Sequence, residues 1–161
     1  MKNAICVLYG SKNDVFGKVV FTQCCINHPT KITFDLKKFG PNETHAIHIH
    51  EYGDTTDGCT SLGLHYNPYG TTHGSIYDPT RARHAGDLIN NFTTDKNGEF
   101  ALSYSDELVT LFGENSILGR SVVIHEGIDD CGLGKGKAKK DSLISGNAGA
   151  RMAGGIIGLM K

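Results

Sequence analysis

Thr44-His45-Ala46-Ile47-His48-Ile49-His50-Glu51 alternates apolar and ionisable side chains through a single short run. In an extended strand, successive side chains point to opposite faces. His48 and His50 then share one face, and Ile47 and Ile49 share the other. His45 falls with the isoleucines, where it packs or hydrogen-bonds within the core. The apolar face can enter a core while two imidazoles on the other face reach one ion. Further candidate ligands follow at His65, His73, His84, Asp87 and His125. Neutral imidazole suits copper and zinc alike, and one carboxylate among histidines is a common zinc arrangement. Eight histidines in 161 residues exceed ordinary usage. That count favours a ligand set over two histidines on a solvated face.

Outward from this strand, short alternating segments dominate. Strands are expected at Ala4–Tyr9, Gly17–Gln23 and Lys31–Leu36, where Ile32, Phe34 and Leu36 alternate with polar residues. After Thr44–Glu51 come Asp87–Thr93 and Glu99–Tyr104, the second entered through the hairpin signal Asn97-Gly98. Arg120–Glu126 and Gly155–Met160 complete the set. Eight strands in one domain spanning 1–161 suggest an all-β sandwich or Greek-key barrel. The 21 glycines agree with a turn-rich chain. Ser105–Phe112 is the one stretch that could form a short helix. Two connections, Tyr52–Gly86 and Gly127–Arg151, are long for so small a domain, and loops of that length are usually functional or disordered. The first holds His65, His73 and His84, so a bound metal would offset the entropy of ordering it.

A net charge of −1 gives no sign of nucleic-acid or membrane binding. No run of about 18 apolar residues suggests a membrane span. The opening Met1-Lys2-Asn3-Ala4-Ile5-Cys6-Val7 does not read as a secretory signal. The expected compartment is the reducing cytoplasm, and the odd count of five cysteines leaves at least one thiol in a monomer. Cys6 reads as a buried small apolar residue, Cys24-Cys25 as structural or incidental, and His28 beside Pro29 as a solvent-exposed turn histidine. Gly132-Leu133-Gly134-Lys135-Gly136 lacks the strand–helix context of a phosphate loop. Lys135, Lys137, Lys139 and Lys140 form either a solvated loop or an anion-attracting rim.

Several stretches together resemble the copper–zinc superoxide dismutase family. They are His48-Ile49-His50-Glu51-Tyr52-Gly53-Asp54, Gly58-Cys59-Thr60-Ser61, His65-Tyr66-Asn67-Pro68 and His84-Ala85-Gly86-Asp87-Leu88. Later come Gly119-Arg120-Ser121-Val122-Val123-Ile124-His125-Glu126, Asp129-Asp130 and Gly146-Asn147-Ala148-Gly149-Ala150-Arg151. They run in family order over nearly the whole chain. The resemblance implies an eight-stranded antiparallel Greek-key barrel, an immunoglobulin-like sandwich with two long functional loops. It implies a copper ion held by His48, His50, His65 and His125, and a zinc ion held by His65, His73, His84 and Asp87. His65 would bridge the two metals. Asp129 would orient one ligand histidine of each metal, and Arg151 would attract superoxide, the anionic substrate. A homodimer is implied, with Ile5, Val7, Gly53, Gly119 and Leu159 at dimer-contact positions. A copper chaperone is a further implied partner.

The chain departs from the family in two places. The usual partner of Cys59 lies three residues after the arginine, where Gly154 now stands. Cys131 is an unusual residue in the second loop, and a substitute Cys59–Cys131 bridge is one expectation; a Cys59 thiol is the other. The lysines at 137, 139 and 140 replace residues that are often acidic in the family. Two competing functions are a non-enzymatic metal buffer or chaperone decoy and a zinc-dependent hydrolase. The retained copper set and Arg151 weigh against the first. Four protein ligands on zinc leave no position for water, which weighs against the second.

Overall fold

The computed structural model describes residues 1–10, 14–78 and 82–161, so residues 79–81 of the first long loop lie outside the described residues. The strands are β1 (Lys2–Gly10), β2 (Val15–Gln23), β3 (Thr30–Leu36), β4 (Thr44–His50), β5 (Asp87–Thr93), β6 (Phe100–Asp106), β7 (Ser121–His125), β8 (Arg151–Ile156) and the two-residue β9 (Gly158–Leu159). The sheet runs in the order β5-β4-β7-β8-β1-β2-β3-β6, with β9 added on β1. Neighbouring strands are antiparallel throughout. The crossings from β3 to β4 and from β6 to β7 give a nearly closed Greek-key barrel. Among the described residues no helix is long and apolar enough to cross a membrane.

Period-two patterning fills the barrel. Cys6 and Leu8 on β1, Val19 and Phe21 on β2, and Ile32, Phe34 and Leu36 on β3 are buried and meet Ile47, Ile49, Phe92, Val122 and Ile124 in one core cluster. Burying each such large side chain contributes about 1.5–3 kcal/mol. Phe39 packs against Phe16 and Phe92 with centroids 5.1 and 5.2 Å apart. His45 joins this group, 5.3 Å from the Phe39 ring, and its Nδ1 contacts the His125 carbonyl at 3.2 Å. Cys6 is fully buried and His28 is exposed.

The structure corrects three local expectations. Ser105–Phe112 is not a helix. Asp106 ends β6 by accepting from the Leu108 and Val109 amides and from Arg83. Val109 and Leu111 are buried on an extended segment tied to β2 and β3. The expected strand Gly155–Met160 is split in two: Gly155 and Ile156 end β8, which already begins at Arg151, and Gly158 and Leu159 form β9. A Cβ on Gly155 would lie 1.9 Å from the Val7 carbonyl, so this glycine permits the close approach of β8 to β1. The second loop contains a short helix, α1 (Lys139–Ser145), stopped by Gly146 in the left-handed region at φ +66°.

Candidate metal centre

β4 is buried on both faces, by the barrel on one side and by the loops on the other. The first loop is laced to it through backbone hydrogen bonds. The Ile49 amide donates to Gly86, Tyr66 donates to Ile49, and Gly86 donates to Tyr66, all within 2.9 Å. A Cβ on Gly86 would lie 2.4 Å from the Ile49 carbonyl, so only glycine lets the three segments meet. His65 is thereby set beside His50, and His84 and Asp87 are brought to the same side. Asn90 takes a left-handed φ of +57° at a bulge that shifts the β4–β5 register and places Asp87 opposite His48. A second irregularity, between Ile124 and His125, sets His125 opposite Arg151.

Two donor groups result, His48/His50/His65/His125 and His65/His73/His84/Asp87. In each, one ligand atom per residue lies within 4.8 Å of all the others. His65 belongs to both. The rings of His48, His50, His73, His84 and His125 all have centroids within 6.0 Å of it.

In the second group, Nδ1 of His65, His73 and His84 stands 3.2, 2.9 and 3.2 Å from the same oxygen, Asp87 Oδ1. One oxygen cannot accept well from three rings at once. A tetrahedral zinc ion with ligands at about 2.0 Å has ligand–ligand edges of about 3.3 Å. The observed contacts match those edges, so the donors fit zinc. Asp87 Oδ2 accepts from the amides of Gly74 and His84 at 2.9 Å. Burial alone would raise the Asp87 carboxyl, but the imidazoles outweigh it and hold the carboxyl far below the usual range.

In the first group, Nδ1 of His50 and of His125 contacts a carbonyl, Gly63 O at 3.0 Å and Gly149 O at 3.1 Å. A carbonyl only accepts, so each Nδ1 carries the proton and each Nε2 carries a lone pair. Those two Nε2 atoms face each other at 3.3 Å. His48 donates through Nε2 to Asp129 Oδ2 at 2.6 Å, and its buried Nδ1 meets no hydrogen-bond partner. His65 Nε2 is likewise buried without a partner. Four lone pairs turned toward one another without a donor are costly unless a cation accepts them. Burial keeps the rings neutral and ready for that role. It pushes His65 down to about 3 and His125 to about 4 from the usual 6.5, and holds His50 well below that value. This donor set fits copper.

Asp129 joins the two groups. Its Oδ2 accepts from His48 Nε2, and its Oδ1 accepts from His73 Nε2 at 2.8 Å. Asn90 Nδ2 and the Cys131 amide also donate to it, at 2.9 and 2.6 Å. Burial opposes ionisation of Asp129, yet the two histidines hold its carboxyl well below the ordinary range. Asn91 clamps the Asp129 backbone at both the amide and the carbonyl, each 2.8 Å away. Gly146 passes so close that a Cβ would lie 2.0 Å from Asp129 Oδ1. Asn90, Asn91, Gly63, Gly146 and Gly149 were not singled out in the sequence as parts of the site. Gly146 and Gly149 lie within the quoted Gly146–Arg151 stretch without a role of their own, and Asn90 and Gly63 show only the preference of Asn and Gly for left-handed backbone.

The Arg151 guanidinium is half-buried and anchored on the carbonyls of Cys59, Thr60 and Gly63. Gly63 O is thus shared with His50 Nδ1, which ties Arg151 to the rim of the first donor group. These contacts occupy both N–H groups of Nη1 and one of Nη2, leaving donors for a small anion. The substitute Cys59–Cys131 bridge is corrected by the structure: all five cysteines are thiols. Cys59 Sγ faces Gly154, where a Cβ would lie 3.0 Å away. Cys131 is turned toward Asp129 and Ser75. Lys135, Lys137, Lys139 and Lys140 are exposed, the last two opening α1.

The family model for copper/zinc superoxide dismutase (SODC) matches residues 15–157. A Neurospora crassa protein named superoxide dismutase (Cu-Zn) is 46% identical over 161 residues, covering all of both chains. Proteins of the same name from Saccharomyces cerevisiae and Cordyceps militaris are 46% and 48% identical over 159 residues, covering 99% of each chain. The convergent donors, the barrel and these full-length matches lead to one conclusion: the chain belongs to the copper/zinc superoxide dismutase family.

Proposed function

We propose that this chain, acting as one domain over 1–161, converts superoxide to oxygen and hydrogen peroxide at a copper centre supported by zinc. The observation that carries the reading is His65, whose two ring nitrogens face separate, complete donor sets. Copper would be held by His48, His50, His65 and His125, and zinc by His65, His73, His84 and Asp87. Bound copper supplies reversible one-electron chemistry, whereas zinc has none. Asp87 and the zinc-side rings fix His65 through Nδ1, so Nε2 is the atom at which this residue takes up and releases a proton. Asp129 positions His48 and His73 together. Arg151 supplies the positive charge that draws the anion to the rim, and steering of this kind brings association to about 10⁸–10⁹ M⁻¹s⁻¹ at low salt.

A homodimer is the proposed assembly. Ile5, Val7, Tyr9, Ile156 and Gly158 line one continuous groove across β1, β8 and β9, and Leu159 is exposed beside it. A cytoplasmic location and loading by a copper chaperone complete the proposal, the first supported by the five unbridged cysteines. The test is metal analysis joined to a superoxide-consumption assay on the purified protein. One copper and one zinc per chain with rapid turnover is the expected result. Zinc alone, with no turnover after copper addition, would overturn it and favour the decoy reading.

A further inference from the structure

A third donor cluster lies outside the centre described above. Cys24, Cys25 and His28 occupy the turn between β2 and β3, and their Sγ and ring nitrogen atoms lie within 4.8 Å of one another. All three side chains are exposed, and the two Sγ atoms are 3.0 Å apart. The turn is built rather than loose. The His28 amide closes it on the Cys25 carbonyl at 3.4 Å, and Asn27 supplies a left-handed residue at φ +66°. Buried Gln23 donates to the His28 carbonyl at 2.6 Å while its Oε1 accepts from Leu111 and Thr110. At the other end, Thr30 is buried and donates to the Val109 carbonyl at 2.6 Å. Both ends of the turn are therefore pinned to the same segment, and three soft or borderline donors are held out to solvent. His28 also lines a surface groove that carries Glu107 and Glu114, whose negative charge favours a cation.

We propose that Cys24, Cys25 and His28 form a surface site for a soft, thiophilic cation, with Cu(I) as its first ligand. Thiolate donors select soft ions. Two sulfurs and one imidazole complete the low coordination number that Cu(I) accepts, whereas zinc would need a fourth ligand. Binding displaces the thiol protons.

The test uses the holoprotein with copper and zinc already loaded. Cu(I) is added under argon against a chromophoric Cu(I) chelator. The wild type should take up one further Cu(I) per chain and should protect Cys24 and Cys25 from alkylation. The Cys24→Ser/Cys25→Ser double variant should lose that equivalent. Among the described residues His28 hydrogen-bonds the turn through its carbonyl and amide, so His28→Ala removes a ligand while keeping those bonds. It should weaken binding at least about tenfold, since even residues behind a ligand are worth about 10–100-fold. Superoxide turnover should be unchanged in both variants. Equal uptake by the wild type and the double variant, wild-type affinity in His28→Ala, or a Cys24–Cys25 disulfide persisting in the Cu(I)-treated protein would each overturn the proposal.

Discussion

Asp129→Asn is the substitution that probes the join between the two donor groups. Each carboxylate oxygen has two donors: Oδ1 serves His73 Nε2 and the Cys131 amide, and Oδ2 serves His48 Nε2 and Asn90 Nδ2. An asparagine amide nitrogen placed on either side therefore faces two donors. At least one imidazole loses its acceptor, and the other keeps only a neutral one. Each buried hydrogen bond to a charged group is worth about 1.5–3 kcal/mol, so the metal-free fold should lose about 3–6 kcal/mol. Removing a residue that orients a metal ligand costs about 10–100-fold in affinity, and that loss should fall on at least one of the two metals. Chelator competition for zinc and copper, with urea unfolding of the metal-free protein, measures both effects. Far-ultraviolet circular dichroism establishes that the barrel persists. Unchanged affinity for both metals in a folded variant would refute the orienting role of Asp129.

Arg151→Ala should lower the low-salt rate by about tenfold or more and flatten its salt dependence while copper and zinc stay bound; loss of metal would contradict the guidance role. Gly154→Cys should form a bridge with Cys59. A Cβ there lies 3.0 Å from Cys59 Sγ, the spacing that an S–S bond of about 2.05 Å implies, with Leu62 Cδ1 giving way at 2.9 Å. Oxidation should then add about 2–4 kcal/mol, read by non-reducing mass spectrometry and denaturant titration; two thiols after oxidation would show that the pair is misaligned. The metal-free protein should lose stability as the pH falls from about 6.5 to about 4. His65 and His125 take their protons near 3 and 4 when folded but near 6.5 when unfolded, so the unfolded chain holds more protons across that window. The slope should approach about 1.4 kcal/mol per pH unit for each group, and a flat melting temperature over that range would contradict the burial of these rings.

The barrel and the donor set were legible in the sequence because both are written in short-period patterns and distinctive residue types. Thr44–His50 shows its two faces directly, and Asn97-Gly98 marks a turn, with Gly98 at φ +74°, although the strands it joins, β5 and β6, pair with β4 and β3 rather than with each other. Other features depend on contacts between distant segments. α1 carries only one buried side chain, Ser142, so no apolar stripe announces it. What holds it in place is tertiary, the His73 amide donating to the Leu143 carbonyl. Arg151–Gly154 falls outside the strand expected at Gly155–Met160 because nothing local reveals the segments packed against Gly154 and Gly155. Val109 and Leu111 alternate as a strand would, but their partners, Thr30 and Gln23, lie about eighty residues away. Asn90 and Asn91 do their work through a bulge and a backbone clamp, and neither leaves a periodic trace. The substitute Cys59–Cys131 bridge failed for a similar reason: spacing along the chain does not say which way a thiol faces.

The most direct test is anomalous diffraction at the copper and zinc edges from crystals of the metal-loaded protein. The account predicts a copper peak among His48, His50, His65 and His125, a zinc peak among His65, His73, His84 and Asp87, and the His65 ring lying between them. Two peaks that do not flank His65, or a single peak serving all seven residues, would contradict it.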